Sequence, residues 1–127
     1  MQSSDREERL LRYLGLAARA RRVIAGSALI CTALQRRASG KTPLVVLSAA
    51  DASENTKKRI CDRTAYYGVP HFALSVDAAA LATAVGKRDG AVAAVGVTEP
   101  QLAKAITDLY QENGRKDYEF GIAIICC

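Results

Sequence analysis

Two pairs of basic residues stand beside glycines in a way that suits phosphate. Arg21 and Arg22 lie just upstream of Gly26-Ser27, and Lys87-Arg88-Asp89 sits between Gly86 and Gly90. A glycine ahead of a helix start lets backbone amides approach an anion, and the helix dipole favours negative charge there. Guanidinium groups add forked donors that match phosphate oxygens bidentately. Arg36 and Arg37 close the helix that Ser27 would open. The pattern describes a polyanion-backbone site or, equally, ordinary capping with solubilising charge. Lys57, Lys58, Arg59 and Arg63 extend the positive field, as a solvated helix face also would.

Catalytic patterns fail one by one. Ser39-Gly40-Lys41-Thr42 echoes the end of a phosphate loop, but that motif needs another glycine five residues before Gly40, where Gln35 stands. It must also open a helix, whereas here the run passes through Pro43 into an apolar, strand-like stretch. Gly86, Gly90 and Gly96 do not make a dinucleotide fingerprint. His71 is the one imidazole, and a packed or surface role suits it better than a pairing with Cys31 or Cys61. The four cysteines form no Cys-x-x-Cys pair, so no zinc pattern can be assembled and free thiols are expected. The sequence predicts no enzyme, no metal and no cofactor.

The chain that must position these residues has 127 residues, half of them hydrophobic. That suffices for one compact domain. Aromatics are sparse, with no Trp and two Phe, so the core must be built from Ala, Leu, Val and Ile. No apolar run reaches the roughly 18 residues a membrane span needs, and the polar N-terminus lacks the apolar stretch of a secretory signal. A soluble, cytoplasmic protein without a membrane partner is the expectation. The net charge of +5 is unevenly spread: residues 1–41 carry +6, residues 42–68 carry +1 and residues 69–127 carry −2. A basic half joined to a mildly acidic one suggests a surface for nucleic acid, with an Arg-rich solvated face as the alternative.

Periodicity supplies the elements. Leu10, Leu11, Leu14 and Ala17 repeat at helical spacing after a capping box at Ser4 and Glu7. Residues 21–25 read as a short extended stretch. Ser27 then caps a helix running to about Arg37, with Ile30, Ala33 and Leu34 on its buried side. Leu44 to Leu47 is a buried strand. Asp51 and Ser53 are rival caps for a helix that Gly68 stops after Tyr67. A strand from His71 to Val76 follows, then an Ala-rich helix from Asp77 to Gly86, a strand from Ala91 to Val97, and a helix opened by Pro100. The order α-β-α-β-α-β-α-β-α is an α/β fold with a mixed or parallel sheet between helices. The domain spans residues 1–113. In the tail, 114–127, Tyr118, Phe120, Ile122, Ile124 and Cys126 alternate. They suit an edge strand on the same domain, a strand that pairs two copies into a homodimer, or an unpaired end.

Several stretches also resemble a known family. Leu14-Gly-Leu-Ala-Ala-Arg-Ala-Arg-Arg-Val-Ile-Ala-Gly26, Leu44-Val-Val-Leu47, Asp51-Ala-Ser-Glu-Asn-Thr-Lys-Lys58, Tyr66-Tyr-Gly-Val-Pro70 and Val85-Gly-Lys87 occur in matching order over residues 10–110. The chain resembles the bacterial YlxQ-like branch of the ribosomal protein L-seven-Ae/L-thirty-e family. The resemblance implies a three-layer α/β/α sandwich around a mixed sheet of about four strands. It also implies binding to RNA, ribosomal RNA or the ribosome being the expected partner, often through kink-turns. Carried over, the contact residues are Gly26, Ser27, Ala28, Leu29 and Thr32 with Gly86, Lys87, Arg88, Asp89 and Gly90, and Arg21, Arg22 and Arg36 would add phosphate contacts. Kink-turn readers place Asn, Glu and Lys where this chain has Ala28, Leu29 and Thr32. The resemblance therefore implies affinity for structured RNA more than kink-turn recognition, with a protein-interaction module on the same fold as the alternative.

Overall fold

A computed structural model describes residues 3–36, 41–87 and 90–111. Over these residues, helices and strands alternate: α1 (Ser3–Arg19), β1 (Val23–Ala25), α2 (Ser27–Arg36), β2 (Val45–Ser48), α3 (Glu54–Tyr67), β3 (His71–Ala73), α4 (Ala78–Ala84), β4 (Ala94–Val97) and α5 (Pro100–Gln111). The strands form one mixed sheet in the order β1-β4-β2-β3. Both β1 and β2 run antiparallel to β4, while β3 lies parallel to β2.

The two central strands are buried along their whole length, which is why their sequence reads as an unbroken apolar run. Their side chains nevertheless divide between two faces with a period of two. Val45, Leu47, Val95 and Val97 meet Leu10 and Leu14 of α1, Leu81 of α4 and Ile106 of α5. Val46 and Ala94 meet Ile30 and Leu34 of α2 and Ile60 of α3. The result is the three-layer α/β/α sandwich expected, with three helices on one face and two on the other. Gly96 lies on the two-helix face, where a Cβ would come within 3.0 Å of Pro43 Cβ and 3.5 Å of Ile30 Cγ1.

The helix ends show which polar residues do what. Ser53 caps α3 by accepting the amide of Thr56 at 3.1 Å. Asp51, the rival cap, instead accepts the amide of Ala78 at 2.8 Å and so fixes the start of α4. There it works beside Asp77, which accepts from Ala80 at 2.8 Å. Glu99 accepts the amide of Leu102 at 2.7 Å and opens α5.

Several boundaries move from their expected places. Helix α1 starts at Ser3, which puts Ser4 inside the first turn. The carbonyl of Gly26 accepts the amide of Ile30 at 3.0 Å, so Gly26 holds the cap position of α2 and Ser27 is its first residue. The strand expected over 91–97 begins at Ala94 because the amide of Val92 bonds Ala78 of α4 instead of a neighbouring strand. The strand expected over 21–25 begins at Val23 because Arg21 and Arg22 finish α1. Their amides bond Ala18 and Ala17 at 3.0 and 2.8 Å. The alternating tail lies outside the described residues, as do residues 37–40, Arg88 and Asp89.

Candidate functional site

The closing turn of α1 builds one corner of the site. A common helix ending places a residue in the left-handed conformation just after the last turn, with its own amide and the next one folding back on earlier carbonyls. Helices α3 and α4 end this way on Gly68 (φ 71°) and Gly86 (φ 85°). Helix α1 ends the same way on Arg21 (φ 60°), the one non-glycine residue with positive φ among those described. A side chain there costs about 1–2 kcal/mol relative to the right-handed region. Arginine occupies a position that suits glycine.

Arg21 borders a groove of about 670 Å³ along the outer edge of β1. Leu29, Thr32, Ala33 and Arg36 of α2 form one wall, and Val85 and Lys87 beyond α4 contribute to the rim. Lys41 and Thr98 complete it, with Val23, Ile24 and Ala25 lining it from the strand itself. Four cations from separate segments (Arg21, Arg36, Lys41 and Lys87) therefore surround one groove, and no acidic residue lines it among those described. Lys87 is set by its own amide, which bonds the carbonyl of Ala82 at 2.8 Å in the terminating turn of α4.

The strand adds main-chain polarity. The amide of Thr98 bonds the carbonyl of Arg22, and the amide of Gly26 bonds that of Ala94, both at 2.9 Å, with Ile24 opposite Gly96 between them. The alternation of an antiparallel ladder then turns the amide and carbonyl groups of Val23 and Ala25 away from β4, towards the open side. The groove combines aliphatic side chains, main-chain donors and acceptors, and a ring of positive charge.

Of the residues singled out from sequence, Arg21, Leu29, Thr32, Arg36 and Lys87 meet in this groove. Arg22 is exposed, but it is held through its carbonyl by Thr98 and does not line the groove. Gly26, Ser27 and Ala28 form the start of α2 beyond the lining, and Gly86 and Gly90 are exposed nearby in sequence. The structure thus places the middle and end of α2, more than its start, against the groove. Lys41, Val85, Thr98 and the β1 residues were missed. Lys41 carries a signal in the sequence, as a third cation close behind Arg36-Arg37, but the surrounding Ser39-Gly40-Lys41-Thr42 run masks it by echoing a phosphate loop.

The single imidazole is elsewhere. His71 is 2% exposed, and its Nε2 lies 3.0 Å from Ser48 Oγ. Burial lowers its pKa from 6.5 to about 4. No group of three His, Cys, Asp or Glu residues placed to hold a metal occurs among the described residues.

A family model for the ribosomal protein L7Ae/L30e/S12e/Gadd45 family matches residues 8–107, and the chain belongs to that family. Over 96 residues it is 40% identical to the RNA-binding protein YlxQ of Bacillus subtilis (strain 168), covering 76% of this chain and 89% of that one. Among solved structures, it resembles a Bacillus halodurans protein of unknown function at a TM-score of 0.69 and 28% identity, covering 79% and 94% of the two chains. It also shares its fold with a Giardia lamblia 15.5kD RNA binding protein at a TM-score of 0.67 and 14% identity, covering 85% and 87%. No helix among the described residues is long and apolar enough to cross a membrane.

Proposed function

We propose that the protein binds structured RNA without catalysis, through the groove beside β1. The observation that carries this reading is the convergence of Arg21, Arg36, Lys41 and Lys87 around one groove free of acidic lining among the described residues. The strained backbone at Arg21 supports it, because strain of this kind collects where a side chain is needed for function. Phosphate contacts position a protein but carry no sequence information. Base reading of kink-turns would fall to positions 28, 29 and 32, where Ala, Leu and Thr offer little to a base edge. Ribosomal RNA is the RNA we propose, on the strength of the family description; the name of the Bacillus subtilis relative supports RNA binding in general.

The test is affinity for an rRNA fragment as a function of salt. With four phosphates neutralised, log affinity should fall against log salt with a slope of about −4, by the duplex value of about 0.9 per contact. A flat response would overturn the reading.

A second reading rests on a different observation. The main-chain groups of Val23 and Ala25 face an open edge beside Leu29, which is 59% exposed. An extended peptide could add there as a strand. The alternating residues of the tail would suit such pairing between two copies. Light scattering of the full chain against one cut after Arg115 separates this homodimer reading from RNA binding alone.

A further inference from the structure

The outer face of α3 carries cations and a tyrosine that the groove does not use. Lys57 turns back to the carbonyl of Ala50 at 3.0 Å, and Lys58 pairs with Asp62 at 3.6 Å. Arg59 and Arg63 are exposed, and neither has an acidic group within ion-pair distance among the described residues. They lie one turn apart, and Tyr66 follows three residues later, so the three share one stripe of the helix about 10 Å long. Tyr66 is 81% exposed, so packing within the protein does not explain its ring. The ring of Tyr67 stands against it edge to face, with centroids 4.8 Å apart and planes at 86°, which braces it outside the core.

We propose that this stripe is a second RNA contact, taking a single-stranded segment that runs on from the RNA held in the groove. Arg59 and Arg63 hold phosphates, and Tyr66 stacks on a base. The proposal rests on the RNA reading of the groove. Two cations without acidic partners complement a polyanion, and a presented aromatic ring complements an unpaired base, whose flat face any sequence supplies. A duplex, with its bases already stacked, leaves Tyr66 nothing to cover. Helices α2 and α3 pack side by side on the same face of the sheet, against Val46 and Ala94, so groove wall and stripe belong to one layer.

The test uses the full chain with two RNAs, an rRNA hairpin with blunt ends and the same hairpin carrying an oligouridine tail. The tail should tighten binding by about fivefold or more, the lower end expected for one stacked base. A triple variant, Arg59→Ala/Arg63→Ala/Tyr66→Ala, should abolish that gain and leave the blunt hairpin bound within about twofold of the parent. All three positions are exposed, and circular dichroism will verify the fold. Equal binding of both hairpins, or a gain that survives the triple variant, overturns the inference while the groove reading stands. Failure of the blunt hairpin to bind at all overturns the groove reading and this inference with it. A triple variant whose only change is oligomeric state in sedimentation makes the stripe a contact between copies and also overturns it.

Discussion

Asp51 and Ala78 are 27 positions apart, yet the carboxylate of the first accepts the amide of the second at 2.8 Å. The loop after β2 thereby sets where α4 begins, and the far end of α4 delivers Val85 and Lys87 to the groove. Asp51→Ala should cost about 1 kcal/mol, the usual worth of a cap, measured by urea unfolding. Asp77→Ala should cost a similar amount. Because both act on one helix start, the double variant should depart from the sum of the two.

Arg21 offers a test in which stability and binding move apart. Arg21→Gly keeps the left-handed turn and removes the cation. Stability should hold, or rise by up to about 1 kcal/mol, as relief of strain outweighs the added freedom of the unfolded chain. RNA affinity should fall, with a salt slope shallower by about one. Thermal melts and a salt titration of the same sample would read both.

Gly96→Ala should destabilise by about 1–3 kcal/mol. Its new methyl would lie 3.0 Å from Pro43 Cβ, on a ring that cannot rotate away, in the centre of the sheet. Denaturant midpoints would show the loss.

The buried imidazole makes stability depend on acid. His71 titrates near 4 when folded and near 6.5 when unfolded, so between those values the unfolded chain binds more protons. Its contribution is fully present above pH 6.5 and declines as pH falls to about 4, by about 3 kcal/mol at most. His71→Gln should flatten that part of the stability profile. The chain has one histidine, so its imidazole NMR signals can be followed without ambiguity.

Restoring Asn, Glu and Lys at positions 28, 29 and 32 tests whether the family's docking geometry persists. Affinity for a kink-turn should rise by about 1–3 kcal/mol per base contact regained, with affinity for a plain duplex little changed. No gain in a filter-binding assay would show that this surface serves another ligand.

Most of the fold was legible because each element carries its own signature. Leu10, Leu14 and Ala17 mark a helix stripe, and the run Leu44 to Leu47 marks a strand buried on both faces, although its first residue, Leu44, lies outside β2 and is 41% exposed. Gly68 and Gly86 announce helix ends, whereas Arg21 performs the same turn without the residue that signals it. Without a glycine there, residues 21–25 look extended throughout. The site was half legible for a similar reason. Charge at Arg21, Arg36 and Lys87 can be read from the chain, but a groove floor made of Val23 and Ala25 depends on which side of β1 meets β4. That choice is made by tertiary pairing, and no single residue records it.

The position of β1 at the edge of the sheet has a further consequence. An edge strand with open main-chain groups is a template for pairing with another copy. Here the cations around the groove stand guard over that template, since two copies approaching edge to edge would bring like charges together. Charges that suit a phosphate backbone thus also oppose direct edge-to-edge pairing of two copies, though not the addition of a tail strand. Neutralising them would remove the proposed RNA site and this repulsion in one step, so a variant that loses RNA has to be weighed for size before its loss is counted as one of recognition.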